Sequence, residues 1–242
     1  EDGFLKFMRE GMVFTSARYD YMPTNSVSSL ATITTGTYPS VHGVVGEKWF
    51  DMITGEEVDL IEDRSVTGFD CDYGKGCYSN AHLLVPTLGD RLKLEHPESK
   101  VISVAANPVS SIVMAGLNTE AYWVNPVTAT WTSSSSYMLY LPGWVTTFNE
   151  RYRNWNEVAA WRWSLYKDAE CYLNARYGRP EFGYSSGFRK MCSLGCLPNV
   201  RPTERYANVA GKPLASDLRP GFIVQVVVCQ YLGSDDTPAL LS

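Results

Sequence analysis

The chain has 242 residues, of which 45% are hydrophobic and 13% aromatic, so it is long enough to bury a large core as one large domain or two small ones. Its formal net charge is −5 at pH 7, and its Lys and Arg residues are scattered rather than clustered. This excludes the basic surface with which proteins bind nucleic acid, and no run of about 18 apolar residues predicts a membrane span.

The first third of the chain predicts a helix, a strand and a second helix with a hydroxyl-rich start. Residues 3–11 are patterned as a helix, and residues 12–17 alternate as a strand. A short helix follows at Ser26–Thr35, with Ser26 and Ser28 at its start. A hydroxyl beside the unsatisfied N–H groups and positive dipole end of a helix either caps it or acts as a nucleophile towards an anion. The pattern alone favours the cap.

The rest of the chain alternates predicted helices with predicted strands. Residues 86–95 carry apolar side chains at helical spacing, and the apolar run 100–106 has the length of a buried parallel strand. A further helix is predicted at 142–151, before an irregular insertion at about 154–202. The run 222–233 is rich in β-branched residues, which favours a strand, although its length and its final glycine also allow a buried helix. A helix followed by a buried strand favours a layered α/β fold.

The cysteines and histidines leave several alternatives open. The six cysteines are Cys71, Cys77, Cys171, Cys192, Cys196 and Cys229. Their two close pairs, 71/77 and 192/196, suit loop disulfides in an oxidising compartment, with free thiols as the alternative. A Cys-x-x-x-Cys pair can also hold half a zinc site, but no second pair of ligands accompanies it. Each of His42, His82 and His96 is expected to be hydrogen-bonded or exposed.

An ordered set of motifs runs through nearly the whole chain. Its main members are Tyr21-Met-Pro-Thr24, Thr35-Gly-Thr-Tyr-Pro-Ser-Val-His-Gly43, Gly46-Glu-Lys-Trp49, Leu83-Leu-Val-Pro-Thr-Leu-Gly-Asp-Arg-Leu-Lys93, Ala121-Tyr-Trp123 and Leu232-Gly-Ser-Asp-Asp-Thr-Pro-Ala-Leu-Leu-Ser242. No single motif is decisive, but the ordered set resembles the alkaline phosphatase superfamily. Within it, the set is most similar to the phosphate-irrepressible alkaline phosphatases and the type I phosphodiesterases/nucleotide pyrophosphatases.

The resemblance implies a three-layer α/β/α sandwich, incomplete in this chain and forming one partial domain over residues 1–242. It also implies covalent chemistry, in which a Thr or Ser at a helix N-terminus attacks phosphorus between two zinc ions. The nucleophile position of the family falls on Ser26. The family's Asp and His ligands would lie before residue 1 and after residue 242, so we expect a partial or processed chain that binds no zinc by itself. Ser26 is then the one metal-site residue identified.

Three phosphate-contact positions of the family are substituted in this chain. An Asn that contacts the phosphoryl oxygen falls on Glu47, whose carboxylate repels phosphate unless it is protonated or turned away. The Lys-x-Arg clamp of the phosphatases falls where this chain has Asn107 and Val109, with no cation nearby. Lys48 is an alternative donor, although an isolated Lys in a loop is usually solvated. These changes remove electrostatic stabilisation on which phosphoryl transfer depends.

The sequence leaves catalysis open between two hypotheses. The substitutions favour a degenerate, pseudoenzyme-like protein that serves as a structural or binding subunit. The alternative is a fragment of an active zinc-dependent phosphomonoesterase or phosphodiesterase with Ser26 as nucleophile, in one version adapted to a less charged diester. A hydrolase triad of Ser26, His42 and an Asp is conceivable, but nothing resembles a nucleophile elbow.

The same resemblance predicts partners and location. A partial sheet exposes apolar edges, so we expect other protein subunits, or the remainder of its own chain, to cover it. A phosphoester is the expected substrate if the protein is active. Members of the family are usually exported, which predicts a periplasmic or secreted protein.

Overall fold

The computed structural model describes residues 3–22, 24–69, 77–125, 128, 130–152 and 213–242, and the insertion predicted at 154–202 lies outside them. The helices are α1 (Phe4–Glu10), α2 (Ser26–Thr35), α3 (Pro39–His42), α4 (Leu88–Glu95), α5 (Pro108–Ala115), α6 (Gly143–Tyr152) and α7 (Pro213–Cys229). The strands are β1 (Lys48–Asp51), β2 (Glu56–Asp59), β3 (Glu62–Asp63), β4 (Cys77–Tyr78), β5 (Lys100–Ala105), β6 (Glu120–Val124), β7 (Trp131–Thr132) and β8 (Ala239–Leu241).

A four-stranded mixed sheet with the order β7-β6-β5-β8 lies at the centre of the described residues. Strand β5 is parallel to both of its neighbours, β6 and β8, while β6 is antiparallel to β7. Helix α5 makes the crossover from β5 to β6, because two parallel strands cannot be joined by a hairpin. The prediction of a buried parallel strand at 100–106 is confirmed.

Helices cover both faces of this sheet. Alternate side chains of a strand point to opposite faces, so Tyr122 and Trp123 of β6 enter two different cores. Trp123 packs in one cluster with Ala31 of α2 and Ile112 of α5. Tyr122 packs in the other with residues of α6 and with Phe222 of α7. The fold is therefore the predicted three-layer α/β/α arrangement.

Two predicted segments differ from the structure. The strand predicted at 12–17 is wrong, because these residues are exposed and pair with no described strand. The strand favoured for 222–233 is not formed, and the alternative of a buried helix is right for residues 222–229, which end α7, since Phe222 and Val226 share one buried face. Helix α5 was not predicted, although Asn107 and Pro108 are a common helix start.

The remaining structural predictions concern membrane spans and cysteines. None of the described helices is long and apolar enough to cross a membrane. Cys71, Cys192 and Cys196 lie outside the described residues, so both disulfide pairs stay predictions. Cys229 is a free thiol, and its sulfur accepts a hydrogen bond of 2.9 Å from the amide of Gln225.

Candidate functional site

The first turns of α2 and α5 lie at the same edge of the sheet, where β5 ends. Helix α5 begins directly after β5. The Thr34 hydroxyl near the end of α2 donates to the Met114 carbonyl oxygen near the end of α5, at 3.4 Å. Val27 at the start of α2 lies in the same apolar cluster against which Val109 packs. The two helices therefore point the same way, with both N-termini at the carboxyl edge, where ligands bind in open α/β sheets.

Ser26 is the first residue of α2, and its side chain is exposed. The helix is capped by Asn25, whose Oδ1 accepts hydrogen bonds from the Ser28 N–H at 2.9 Å and the Ser28 hydroxyl at 3.1 Å. The interpretation of Ser26 or Ser28 as the cap is therefore wrong, because the extended backbone of Asn25 places its own side chain over the helix end. Within the described residues, the Ser26 hydroxyl has no hydrogen-bond partner.

Backbone donors surround the Ser26 hydroxyl. An α-helix leaves its first N–H groups without intrahelical acceptors. The Asn25 side chain satisfies one of them, the Ser28 N–H, and the regular helical bonds begin with the Ser29 N–H, which donates to the Asn25 carbonyl oxygen at 3.0 Å. The N–H groups of Ser26 and Val27 donate to no acceptor among the described residues and lie at the positive end of the helix dipole. An exposed hydroxyl beside such donors suits an anionic ligand.

Glu47 is brought towards this helix start by a contact between loops. The Asn25 amide donates to the Val45 carbonyl oxygen at 2.8 Å, and Glu47 follows two residues later, with an exposed side chain. The Glu47 carbonyl accepts from the Leu60 N–H at 2.9 Å, which ties the loop to the next segment of the chain. Glu47 therefore carries its negative charge two residues after the loop position that contacts the cap of α2.

Lys48 belongs to a carboxylate-rich hairpin rather than to the helix start. Its ammonium lies 3.0 Å from Glu57 Oε1 and 3.9 Å from Asp59 Oδ2. The hydrogen bond and charge of Glu57, followed by the charge of Asp59, raise the pKa of Lys48. Because β2 already neutralises it, Lys48 is a poor substitute for a phosphate clamp.

The start of α5 presents fewer hydrogen-bond donors to an anion than the start of α2. Asn107 caps the helix, with its Oδ1 accepting from the Val109 N–H at 2.8 Å. Pro108 has no N–H, and Val109 is turned towards the core. The chain has no Lys or Arg between Ile102 and Thr119. The family phosphate-contact positions 107 and 109 therefore supply one exposed amide and no charge.

His42 is part of the scaffold. It is fully buried, its Nδ1 accepts from the Val44 N–H at 3.1 Å, and its Nε2 lies 3.2 Å from the Thr32 hydroxyl oxygen. Burial lowers its pKa, which favours a neutral ring with the proton on Nε2. Both ring nitrogens are thus engaged, so His42 is not available as a base for Ser26.

The other histidines and the described acids do not form a metal centre. His82 makes an edge-on contact with the Trp49 ring, and His96 is exposed at the end of α4. No group of three or more His, Cys, Asp or Glu side chains within the described ranges could hold a metal ion. The described residues therefore contribute only the Ser26 hydroxyl to the metal centre that the resemblance implies.

Asn25 is the capping residue of the candidate site that the sequence did not identify. The sequence does indicate this cap, because Asn is among the strongest N-cap residues and stands directly before the helix. Its second contact, to Val45, is twenty residues away in the chain and has no local signal.

Comparison with known proteins identifies relatives of this chain. A family model described as type I phosphodiesterase / nucleotide pyrophosphatase matches residues 1–184. Alkaline phosphatase PhoV of Synechococcus elongatus is 28% identical over 233 residues, which are 96% of this chain and 42% of that protein. Alkaline phosphatase PafA of Elizabethkingia meningoseptica is 32% identical over 154 residues, covering 62% of this chain and 28% of that protein.

The structural comparison agrees with these matches. The crystal structure of wild-type alkaline phosphatase PafA superposes with a TM-score of 0.80 and 25% sequence identity. The match covers 94% of this chain and 44% of that chain. A PafA variant with four substitutions gives the same TM-score at 26% identity. The chain thus spans less than half the length of the relatives and structures that it matches.

Proposed function

Since this chain belongs to the type I phosphodiesterase / nucleotide pyrophosphatase family of the alkaline phosphatase superfamily, we propose that it supplies the phosphoryl-accepting half of a phosphoester hydrolase site. The observation that carries the proposal is the exposed Ser26 hydroxyl, which has no partner among the described residues and stands beside the N–H groups of the first turn of α2. A serine that served only as a cap would be engaged with that turn.

The proposed reaction has two displacements. The Ser26 oxygen forms a bond to phosphorus as the bond from phosphorus to the alcohol oxygen breaks, and the serine proton passes through solvent to the departing alcohol. Water then attacks the phosphorus bound to Ser26, and the bond from phosphorus to Ser26 breaks, so that a diester yields a phosphomonoester, a monoester yields phosphate, and the hydroxyl regains a proton from the water. The N–H groups of Ser26 and Val27 would stabilise the equatorial oxygens in both steps.

The charges favour a monoanionic diester over a dianionic monoester as substrate. Glu47 places a carboxylate in the loop next to Ser26, and the start of α5 has no cation. A second negative charge on phosphate therefore meets repulsion without a compensating clamp. Zinc stays a proposal for the complete protein: when bound, a metal lowers the pKa of the nucleophile and neutralises phosphate charge. The described residues offer it one ligand, so no step is assigned to it.

The decisive experiment uses the full-length protein, an aryl phosphodiester and an aryl phosphomonoester. Ser26→Ala should lower kcat/KM for the diester by at least about 10³-fold, because the covalent route is lost. Ser29→Ala, in the same helix, is the matched control and should stay within about twofold of wild type. Denaturant unfolding should show equal stability for both variants. Turnover that survives Ser26→Ala would overturn the proposal.

A second candidate is the pseudoenzyme, a binding or structural subunit without turnover. It is favoured by the neutralisation of Lys48 by Glu57 and Asp59 and by the absence of charge at Asn107 and Val109. Its expected result is a well-folded full-length protein that hydrolyses neither aryl ester and contains no stoichiometric metal by elemental analysis. Turnover that depends on Ser26 would exclude it.

Partners are proposed from exposed apolar side chains, and location is proposed from the family to which the chain belongs. Apolar side chains of the first segment, Phe4, Phe7 and Phe14, are more than three-quarters exposed, at 90%, 77% and 76%. Exposed patches of this kind are typical of surfaces that another polypeptide covers. We propose that other subunits or the remainder of its own chain cover them, and that the protein acts outside the cytoplasm. Fractionation of the producing cells tests the location, and a cytoplasmic protein would contradict it.

A further inference from the structure

We propose that Asn25 is a positioning residue that holds the Glu47 loop in register with Ser26. This inference rests on the proposed function, because it assigns to one amide the relative placement of the nucleophile and the charge that selects the substrate. It goes beyond helix capping, which needs only the oxygen of the Asn25 side chain.

The two ends of the Asn25 amide make two different kinds of contact. Its oxygen accepts from the N–H and hydroxyl of Ser28, which are local bonds that define the start of α2. Its nitrogen donates to the Val45 carbonyl oxygen at 2.8 Å, across twenty residues of sequence. One rigid planar group therefore touches both the helix that carries Ser26 and the loop that carries Glu47.

The loop is anchored on both sides of Val45, and at Val45 itself the link to the helix start is the hydrogen bond from the Asn25 amide. Val44 is fully buried, and its N–H donates to His42. The Glu47 carbonyl accepts from Leu60 on the other side. Val45 lies between these anchors, with 44% of its surface exposed, and the Asn25 amide adds a direct hydrogen bond from α2 to its carbonyl oxygen.

Asn107 provides an internal comparison. It caps α5 through its side-chain oxygen in the same manner, with a 2.8 Å bond from the Val109 N–H. Within the described residues, its amide nitrogen has no hydrogen-bond partner. The second contact of Asn25 is therefore not a consequence of capping by asparagine.

The chemistry predicts a specific kinetic defect. Serine caps helices about as well as asparagine, so Asn25→Ser keeps an acceptor for Ser28 and removes only the donor to Val45. Loss of register between nucleophile and loop should lower kcat for the diester by about tenfold, because transition-state stabilisation is sensitive to displacements of about 1 Å. KM should stay within about twofold, since the groups that contact the ground state remain.

The test compares Asn25→Ser, Asn25→Ala and the matched control Asn118→Ser, at an exposed asparagine before β6, in the full-length protein. Each variant receives three measurements: kcat and KM for an aryl phosphodiester, the free energy of unfolding in urea, and hydrogen exchange of the peptide that contains residues 45–47. Asn25→Ser should keep wild-type stability, lose kcat and exchange faster at 45–47. Asn118→Ser should leave kcat and this exchange unchanged.

The outcomes separate the positioning role from the proposed function. If Ser26→Ala abolishes turnover but Asn25→Ser keeps wild-type kcat, the positioning role is overturned while the proposed function stands. If turnover does not depend on Ser26, the proposed function fails, and the catalytic part of this inference fails with it. Wild-type exchange at 45–47 in Asn25→Ser would disprove the link between loop and helix independently of any activity.

Discussion

The starts of α2 and α5 are two versions of the same local structure. Both helices begin at an asparagine whose side-chain oxygen accepts a hydrogen bond from the helix backbone, at 2.9 Å for Asn25 and 2.8 Å for Asn107. Both lie at the carboxyl edge of the sheet. Yet α2 places an exposed hydroxyl at its first position, whereas α5 places Pro108 there and turns Val109 into the core.

The two helix starts share the same backbone geometry and differ in the side chains that they present. The dipole and the unsatisfied N–H groups are general properties of a helix start, so both helices possess them. Of these two starts, α2 alone adds an exposed hydroxyl and a hydrogen bond from its capping residue, Asn25, to a neighbouring loop at Val45. We infer that the side chains at the first two positions, and not the helix terminus itself, decide which start can act on a phosphoester.

The largest expected effect concerns a third helix start, that of α4, which a buried carboxylate occupies. The buried Asp90 carboxylate accepts from the N–H and hydroxyl of Thr87 and from the N–H groups of Leu117 and Asn118, at 2.8 to 3.0 Å. Asp90→Ala leaves buried backbone donors without acceptors and should lower the free energy of unfolding by about 3 kcal/mol in urea denaturation.

The control for Asp90 is Asp235→Ala, at an exposed carboxylate 3.0 Å from the Lys100 ammonium. Exposed ion pairs contribute little, so this change should lower the free energy of unfolding far less than Asp90→Ala does. Equal losses of unfolding free energy in the two variants would show that the buried Asp90 carboxylate stabilises the fold no more than an exposed one.

The second prediction removes the charge in the loop beside α2. Glu47→Gln should raise kcat/KM for an aryl phosphomonoester by about tenfold, because loss of one like charge at short range in partly exposed surroundings is worth about 1 kcal/mol. The diester should change by less than about twofold. Steady-state kinetics measure both, with Glu56→Gln on the exposed β2 strand as control. An equal rise for both esters would contradict charge selection.

The third prediction weakens the start of α5 alone. Asn107→Ala removes the cap bond to Val109 and should lower the free energy of unfolding by about 1 kcal/mol. Turnover of the diester should not change, because that start carries no reacting group in the proposed mechanism. A large loss of kcat at unchanged stability would mean that both helix starts take part, which would end the distinction drawn between them.

The smallest effect is a pH dependence of stability from His42. Burial lowers the pKa of the folded state below the unfolded value of about 6.5, so the unfolded chain binds the proton first as the pH falls. The neutral, buried ring therefore stabilises the fold above that value, and this contribution is lost as the pH falls towards the folded pKa. Urea midpoints at pH 7.5 and 5.5 should differ more for wild type than for His42→Gln. Equal differences would exclude His42 as the titrating group.

Much of the fold was predictable because local patterns coincide with the tertiary environment. The bounds of helix Ser26–Thr35 follow from its apolar spacing and the glycine after it, and Gly36 is indeed left-handed, with φ of 67°. The buried strand at 100–106 was visible as an apolar run. The candidate residues Ser26, Glu47, Asn107 and Val109 came from ordered motifs, and their roles stay predictions.

The sequence by itself determined the helices with apolar spacing, the buried parallel strand, the hydroxyl at the start of α2 and the missing charge at the start of α5. Tertiary structure alone decided that Asn25 both caps α2 and holds Val45, that Lys48 is neutralised by Glu57, and that residues 12–17 form no strand. Periodicity reports which side of a segment is buried, whereas hydrogen bonds between residues distant in the chain depend on how the packed elements meet.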